Sequence, residues 1–124
     1  QILKHTIVKK KILVVDDSSS NVLLLQSFLE DEGFEIQIAS TGKEAIKSAT
    51  TFKPDMILLD LMMPGLSGID VMDSIDSSIP VIMISANKDP KLVTEAKQHG
   101  IKSYIQKPID FDEIISEIEK YIGK

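Results

Sequence analysis

Two hydrophobic patterns alternate along the chain: short apolar segments with the length of a strand, and longer segments with apolar residues at helical spacing. Three short segments are continuously apolar, which is typical of strands that helices cover on both faces. Two others mix polar with apolar residues, which favours the less covered edges of a sheet. The apolar segments are 12–15, 56–59 and 81–84, and the mixed ones are 34–38 and 103–106. The pattern predicts five strands, with the apolar ones in the centre.

Helical segments with marked ends lie between these strands. The first has apolar residues at helical spacing from Val22 to Leu29 and stops before Gly33. The last has an apolar stripe made of Ile114, Ile115, Ile118 and Ile122. Residues typical of caps are Thr41 with Glu44 as a capping box, Asp89 before Pro90, Gly100 after that helix, and Asp110 with Glu113. Five strand-helix units follow from this alternation.

Such alternation predicts a doubly wound α/β fold. Its parallel sheet would have right-handed crossovers and helices on both faces. With the second and fifth strands at the edges, the order is 2-1-3-4-5, as in flavodoxin-like proteins. Ligands of these sheets bind beyond the carboxyl ends of the strands, where the order reverses between strands 1 and 3. We therefore expect the functional site there.

Composition narrows the class of protein. The 124 residues are 43% hydrophobic and 27% charged, as in one ordinary globular domain. There is no cysteine, which excludes disulfides and thiolate metal sites. The net charge is −5 and every basic residue other than histidine is lysine, which argues against nucleic-acid binding. No apolar run approaches the ~20 residues of a membrane span, and no leader opens the chain, so we expect a cytoplasmic protein without a membrane partner.

The strand ends concentrate the candidate chemistry. Because parallel strands end at one edge of the sheet, the residues after them should converge. Three carboxylates, one hydroxyl and one lysine would meet, and such an acidic group is a hard oxygen site suited to Mg²⁺. These residues are Asp16 and Asp17 after strand 1, Asp60 after strand 3, Ser85 and Ala86 after strand 4, and Lys107 and Pro108 after strand 5.

Taken together, these elements resemble the receiver domain of two-component response regulators. The resemblance rests on the aspartate pair, on Asp60 with Pro64 and Gly68 in D-x-x-x-P-x-x-x-G, on the Ser85–Ala86 pair and on Lys107–Pro108. It spans roughly residues 10 to 123. We therefore expect a receiver domain over residues 10–124, preceded by an N-terminal extension or linker over residues 1–9.

The resemblance implies a phosphorylation switch. Asp60 would accept a phosphoryl group from the phosphohistidine of a histidine kinase or a phosphotransfer protein, and the changed surface would act on a downstream effector. The domain would assist its own Mg²⁺-dependent phosphorylation and dephosphorylation without being a conventional enzyme. The implied roles are Mg²⁺ binding for Asp16, Asp17, Asp60 and the Met62 carbonyl, phosphoryl binding for Ser85, Ala86 and Lys107, switching for Ser85 and Tyr104, and a cis Lys107–Pro108 bond.

Other interpretations compete with this one. Each aspartate alone would suit a helix cap, Ser85 a loop hydroxyl and Tyr104 an edge-strand aromatic. A flavodoxin-like cofactor binder would need a phosphate loop where the aspartate pair stands. A dehalogenase-type aspartyl-phosphate hydrolase would need an aspartate at Met62. A degenerate receiver that serves only as a binding scaffold remains the alternative.

A few residues receive plain structural predictions. His99 should lie near a helix C-terminus, where a partial positive charge on its ring interacts favourably with the helix dipole. The five methionines, Met56, Met62, Met63, Met72 and Met83, should fill the core. Lysines 9 to 11 should form a solvated run before the first strand. Serine at position 85, where many receivers have threonine, weakens the coupling to Tyr104, and the lack of arginine argues against the receiver dimer formed by helix 4, strand 5 and helix 5.

Overall fold

The computed structural model describes residues 8–123. In this range five strands and five helices alternate: β1 (Lys11–Val15), α1 (Ser19–Asp31), β2 (Glu35–Ala39), α2 (Gly42–Thr51), β3 (Met56–Asp60), α3 (Gly68–Asp73), β4 (Val81–Ser85), α4 (Pro90–Gln98), β5 (Ser103–Gln106) and α5 (Phe111–Ile122). All neighbouring strands are parallel, in the order β2-β1-β3-β4-β5. The predicted fold class and strand order are confirmed.

The core consists of two apolar layers, one on each face of the sheet. Successive strand side chains point to opposite faces, so β1 supplies both layers. Leu13 and Val15 pack on the side of α2, α3 and α4, whereas Ile12 and Val14 pack on the side of α1 and α5. Ile114 and Ile118 of the predicted α5 stripe are fully buried. Burial on both faces explains why the central strands are continuously apolar.

The helix caps agree with the sequence except in one detail. Asp89 and Asp110 are the N-caps of α4 and α5. The Thr41 hydroxyl accepts the Glu44 N–H at 3.1 Å, but the Glu44 carboxylate accepts both the backbone N–H and the hydroxyl of Ser40 at 2.8 Å. The predicted capping box is therefore wrong in its second half, because Ser40 offers two donors to the same carboxylate.

Two further predictions are corrected by side-chain direction. Met62 is 58% exposed, because it points outward between Leu61 and Met63, which are buried. Lys11 belongs to β1 and is half-buried, since its ammonium donates to the Phe52 carbonyl at 3.1 Å and lies 5.2 Å from the centre of the Phe52 ring. Thus Met62 is not a core residue, and Lys11 is not part of a solvated run.

The remaining structural predictions concern the other methionines, His99 and the N-terminus. Met56, Met63 and Met83 are buried, and His99 is the C-cap of α4, as predicted. Its Nδ1 also lies 2.7 Å from Oδ1 of Asp73, a pairing that the sequence did not suggest. The predicted extension over residues 1–9 falls mostly outside the described range. Within residues 8–123, no helix combines the length and apolar character needed to cross a membrane.

Candidate functional site

The carboxyl edge of the sheet brings together residues from β1, β3, β4 and β5. Asp16 directly follows β1, and because Val15 is in register with Leu59, Asp16 lies next to Asp60 at the end of β3. Ser85 ends β4, and its carbonyl accepts the Lys107 N–H at 2.9 Å, which extends the pairing of β4 and β5 by one residue. Strand pairing therefore places these four residues at one edge.

A lysine bridges two buried carboxylates at this edge. Lys107 Nζ lies 3.0 Å from Oδ2 of Asp16 and 3.3 Å from Oδ2 of Asp60. The side chains of Lys107, Asp16 and Asp60 are only 19%, 10% and 7% exposed. Water screens such a cluster much less than it screens surface charges. The single ammonium of Lys107 thus forms ion pairs with two neighbouring carboxylates.

Backbone N–H groups hold the other oxygens of these carboxylates. Ser18 N–H donates to Oδ1 of Asp16 at 2.9 Å, and Met62 N–H donates to Oδ1 of Asp60 at 3.1 Å. The Ser18 side chain also caps α1 by accepting the Asn21 N–H. Each carboxylate is therefore fixed from two sides, by its own loop and by Lys107.

Asp17 adds a third, exposed carboxylate. One oxygen from each of Asp16, Asp17 and Asp60 lies within 4.8 Å of the others, and among residues 8–123 no other group of three potential protein ligands meets this criterion. An all-oxygen donor set of two buried carboxylates and one exposed carboxylate has the chemistry that Mg²⁺ prefers. The residues present therefore fit a hard divalent cation.

The charges in this cluster shift one another's protonation. Burial raises the pKa of Asp60, and the charge of Asp16 raises it further, although the Met62 N–H and Lys107 oppose the shift. Burial alone would lower the pKa of Lys107, but the hydrogen bond to Asp16 and the charges of both aspartates outweigh burial and raise it. The carboxyl edge thus carries a surplus of negative charge around a firmly protonated lysine.

Ser85 and Tyr104 are linked through a residue that the sequence analysis missed. The fully buried Ser85 accepts the Asn87 N–H on its Oγ at 3.1 Å. The Asn87 carbonyl accepts the hydroxyl of Tyr104 at 2.8 Å, and Tyr104 packs half-buried against the layer of α2, α3 and α4. Ala86 between them is exposed. Only the position of Asn87, directly after the Ser-Ala pair, could have signalled its role, because its backbone makes the link.

Gly68 and Pro108 shape the loops beside Asp60 and Lys107. A Cβ at Gly68 would lie 2.7 Å from the Asp60 carbonyl oxygen and 3.0 Å from the Leu61 Cα, so only glycine fits without displacement. This contact explains its fixed spacing from Asp60. The Lys107–Pro108 bond is cis, which is the isomer that the resemblance implied.

An apolar surface lies next to Lys107. Leu23 and Leu24 of α1 are 62% and 63% exposed. A cavity of about 300 Å³ adjoins this surface and is lined by Asn21, Leu24, Lys107, Pro108, Ile109 and Phe111. Exposed apolar side chains beside a cavity are candidates for contact with a partner.

Comparisons with known proteins all indicate one family. The family model described as the response regulator receiver domain matches residues 12–119. Sporulation initiation phosphotransferase F of Bacillus subtilis is 35% identical over 116 residues, which cover 91% of this chain and 94% of that protein. The signal receiver domain of a putative Luxo repressor protein from Vibrio parahaemolyticus is 30% identical with a TM-score of 0.87, and the match covers 93% of this chain and 91% of that one.

Longer proteins match over part of their length. The DNA-binding response regulator MtrA of Mycobacterium tuberculosis is 36% identical over 112 residues, which cover 89% of this chain but 49% of that protein. The chain spans about half the length of the mycobacterial relatives that it matches.

Proposed function

Because this chain belongs to the response regulator receiver domain family, we propose that it is a signalling switch that accepts a phosphoryl group on Asp60. The donor would be the phosphohistidine of a histidine kinase or phosphotransfer protein. The observation that carries this proposal is the position of Asp60, which is buried at the carboxyl edge with Lys107 Nζ 3.3 Å from its Oδ2. A response regulator of this kind would act in the cytoplasm.

The proposed reaction is a substitution at phosphorus. A carboxylate oxygen of Asp60 attacks the phosphorus atom, the phosphorus–nitrogen bond to the imidazole breaks, and the nitrogen keeps the electron pair. The product is an acyl phosphate on Asp60. Phosphoryl transfer depends mainly on positioning and on neutralising the oxygens of the transferred group. The Met62 N–H supports the positioning of Asp60, and the Lys107 ammonium supplies positive charge beside it.

Mg²⁺ would be held by carboxylates of Asp16, Asp17 and Asp60 together with the Met62 carbonyl. The three carboxylate oxygens within 4.8 Å of one another support this assignment. When bound, the ion would neutralise both the acidic cluster and the oxygens of the incoming phosphoryl group. Asp17 is the exposed member of the set, whereas both oxygens of Asp16 already accept hydrogen bonds within the protein.

The proposed output is a rearrangement of the β4–α4 loop. Ser85 would rotate its hydroxyl to donate to a phosphoryl oxygen, and the backbone N–H of Ala86, an exposed residue, would donate to another. That rotation would weaken the bond from Asn87 N–H to Ser85 Oγ, and Asn87 is the residue whose carbonyl holds Tyr104. Phosphorylation of Asp60 would therefore affect Tyr104 through two intermediate residues, Ser85 and Asn87.

The exposed leucines suggest where the phosphodonor docks. Leu23 and Leu24 lie on α1, and Leu24 shares a cavity with Lys107. A donor that covers this apolar surface would bring its histidine to the adjoining carboxyl edge. The downstream effector would be a further domain or a separate protein, as the names of the relatives suggest for their own systems.

Phosphorylation by a small donor tests the function. The protein is incubated with phosphoramidate and Mg²⁺, and its intact mass is recorded before and after hydroxylamine treatment. We expect one added phosphoryl group that hydroxylamine removes, and its loss in Asp60→Asn. Asp55→Asn is the matched control, since Asp55 lies at the opposite end of β3 and accepts the Lys11 N–H. Undiminished labelling of Asp60→Asn would contradict the assignment, and no labelling of the parent would favour the binding-scaffold alternative.

A further inference from the structure

The five methionines of the chain differ sharply in exposure. Met62 is 58% exposed, whereas Met56 and Met83 are fully buried and Met63 is 8% exposed. Met72 is half-buried against the layer of α2, α3 and α4. Methionine oxidation requires contact between an oxidant and the sulfur atom, so exposure governs which methionine reacts first. Met62 should therefore react much faster than the others.

Met62 also lies in the loop that holds the proposed phosphoacceptor. Its backbone N–H donates to Oδ1 of Asp60 at 3.1 Å. Within residues 8–123, its side chain is one of four large apolar side chains that are exposed, the others being Val8, Leu23 and Leu24. A chemical change at Met62 would thus occur two residues from Asp60, in a loop with a direct hydrogen bond to it.

We infer that Met62 is a sulfoxidation site whose modification slows phosphoryl acceptance by Asp60. The oxidant is a hydroperoxide: the sulfur lone pair attacks one peroxide oxygen, the oxygen–oxygen bond breaks, and the sulfoxide forms with release of water or an alcohol. The sulfur is oxidised by two electrons and the peroxide is reduced by two, so no other reactant is required. Methionine sulfoxide reductases reverse the modification.

The chemistry of the sulfoxide gives the direction of the effect. Its oxygen is a strong hydrogen-bond acceptor on a side chain that was previously apolar. In this loop it would compete with Asp60 for backbone N–H donors, as other short-range acceptors do. Its negative end would also lie beside an edge where three carboxylates face one lysine. The first effect would disturb the position of Asp60, and the second would oppose the approach of an anionic phosphodonor. This part of the inference rests on the proposed function.

The first experiment measures site selectivity. The intact protein is treated with increasing hydrogen peroxide, digested, and analysed by mass spectrometry for the sulfoxide at each methionine. We expect Met62 to be oxidised at least about tenfold faster than Met56, Met63 and Met83, because these must first become exposed by opening of the fold. Met62→Leu should remove the fast phase, whereas Met72→Leu should retain it. Equal rates at all five methionines, or faster reaction at Met72, would overturn the inference.

The second experiment measures the effect on Asp60. The initial rate of phosphorylation by phosphoramidate is compared for each protein before and after mild peroxide treatment, and again after treatment with sulfoxide reductases. After peroxide treatment, the initial rate of phosphorylation of the parent should fall about threefold and should recover on reduction. A threefold change corresponds to roughly half of the 1.4 kcal/mol that a tenfold change represents. Met62→Leu should keep its own starting rate after peroxide.

These outcomes separate this inference from the proposed function. If the untreated parent accepts no phosphoryl group, the proposed function fails, while the peptide analysis still tests the modification site. If the untreated parent is phosphorylated and selective oxidation of Met62 leaves its rate unchanged, the regulatory inference fails and the proposed function stands.

Discussion

The two ends of the sheet handle charge in different ways. At the amino end, Asp55 accepts the Lys11 backbone N–H at 2.8 Å, and the Lys11 ammonium donates to the Phe52 carbonyl and lies over the Phe52 ring. Each group there has a nearby partner, and the contacts join β1 to the segment before β3. At the carboxyl end, Asp16, Asp17 and Asp60 surround the single ammonium of Lys107.

This difference distinguishes charged residues with a structural role from the charged residues of the candidate site. At the amino end, Asp55 and the Lys11 ammonium each bind a backbone group, so these charged residues help to hold β1 beside the segment before β3. The carboxyl end keeps an excess of negative charge in a poorly screened place, which costs folding free energy unless a cation or a proton compensates it. Changes at the two ends should therefore differ in size and in their dependence on pH and Mg²⁺.

The largest difference should appear when each lysine is replaced. Lys107→Met leaves two buried carboxylates without their shared cation and should lower the free energy of unfolding by about 3 kcal/mol at pH 8. Lys11→Met removes a hydrogen bond to a carbonyl and a contact with an aromatic ring, and should cost about 1 kcal/mol or less. Urea denaturation of both variants measures this, and equal losses would contradict the comparison. The loss for Lys107→Met should shrink near pH 5 as carboxylates take up protons.

A change of shape alone should also disturb the carboxyl end. Gly68→Ala places a methyl group 2.7 Å from the Asp60 carbonyl oxygen and should lower stability by about 2 kcal/mol, since backbone must move to relieve the overlap. Pro64→Ala, at an exposed position of the loop between β3 and α3, is the control and should cost less. Thermal unfolding compares them. If Gly68→Ala has the same melting temperature as the parent, the contact of Gly68 with the Asp60 carbonyl oxygen does not constrain the backbone.

The pH dependence of Asp60→Asn should reveal the cost of its charge. Because the pKa of Asp60 in the folded protein is raised above its ordinary value of 3.8, the folded state retains a proton between these two values that the unfolded chain has released. The contribution of Asp60 to the free energy of unfolding of the parent protein is thus lost as the pH rises through that window. Asp60→Asn lacks this loss, so its stability relative to the parent should increase as the pH is raised from 4 to 7. A constant difference across this range, measured by urea denaturation, would contradict the shift.

The smallest expected effect concerns Asp17. Lys107 contacts Asp16 and Asp60, so Asp17→Asn removes repulsion without breaking either ion pair. Because Asp17 is exposed, solvent screening reduces the gain to about 0.5 kcal/mol in chelator. On addition of Mg²⁺, the melting temperature of the parent should rise more than that of Asp17→Asn, since a ligand that binds only the folded site stabilises the folded state. Thermal melts with chelator and with Mg²⁺ test this, and a lower melting temperature for the variant in chelator would show that Asp17 has a stabilising partner.

The fold was predictable from the sequence because burial on both faces leaves a clear signal. The runs at 12–15, 56–59 and 81–84 lie in β1, β3 and β4, and the mixed segments fall at β2 and β5, the two edges. The side-chain errors arose where direction depends on a single residue. Met62 has the same apolar character as Met63, yet the two point to opposite sides of the chain.

The residues of the candidate site were predictable from the sequence, but the ion pairs and hydrogen bonds between them were not. Strand ends located Asp16, Asp60, Ser85 and Lys107, because parallel pairing fixes where strands end. The sequence could not assign the ammonium to Asp16 and Asp60 rather than to Asp17, because that depends on which carboxylate turns inward. It also gave no sign of the link through Asn87, since backbone groups make that link and every residue type has them.

The separation of these residues along the chain has a consequence for synthesis. Asp16 and Asp60 precede Lys107 by 91 and 47 positions, so the carboxylates leave the ribosome well before the amine. β1 lies between β2 and β3, so these strands can pair once about half of the chain has emerged. A nascent chain paused before β5 would therefore gather the acidic residues without their lysine. In such a chain, a bound cation or proton uptake would have to compensate these carboxylates until Lys107, which directly follows β5, is translated and completes the ion pairs.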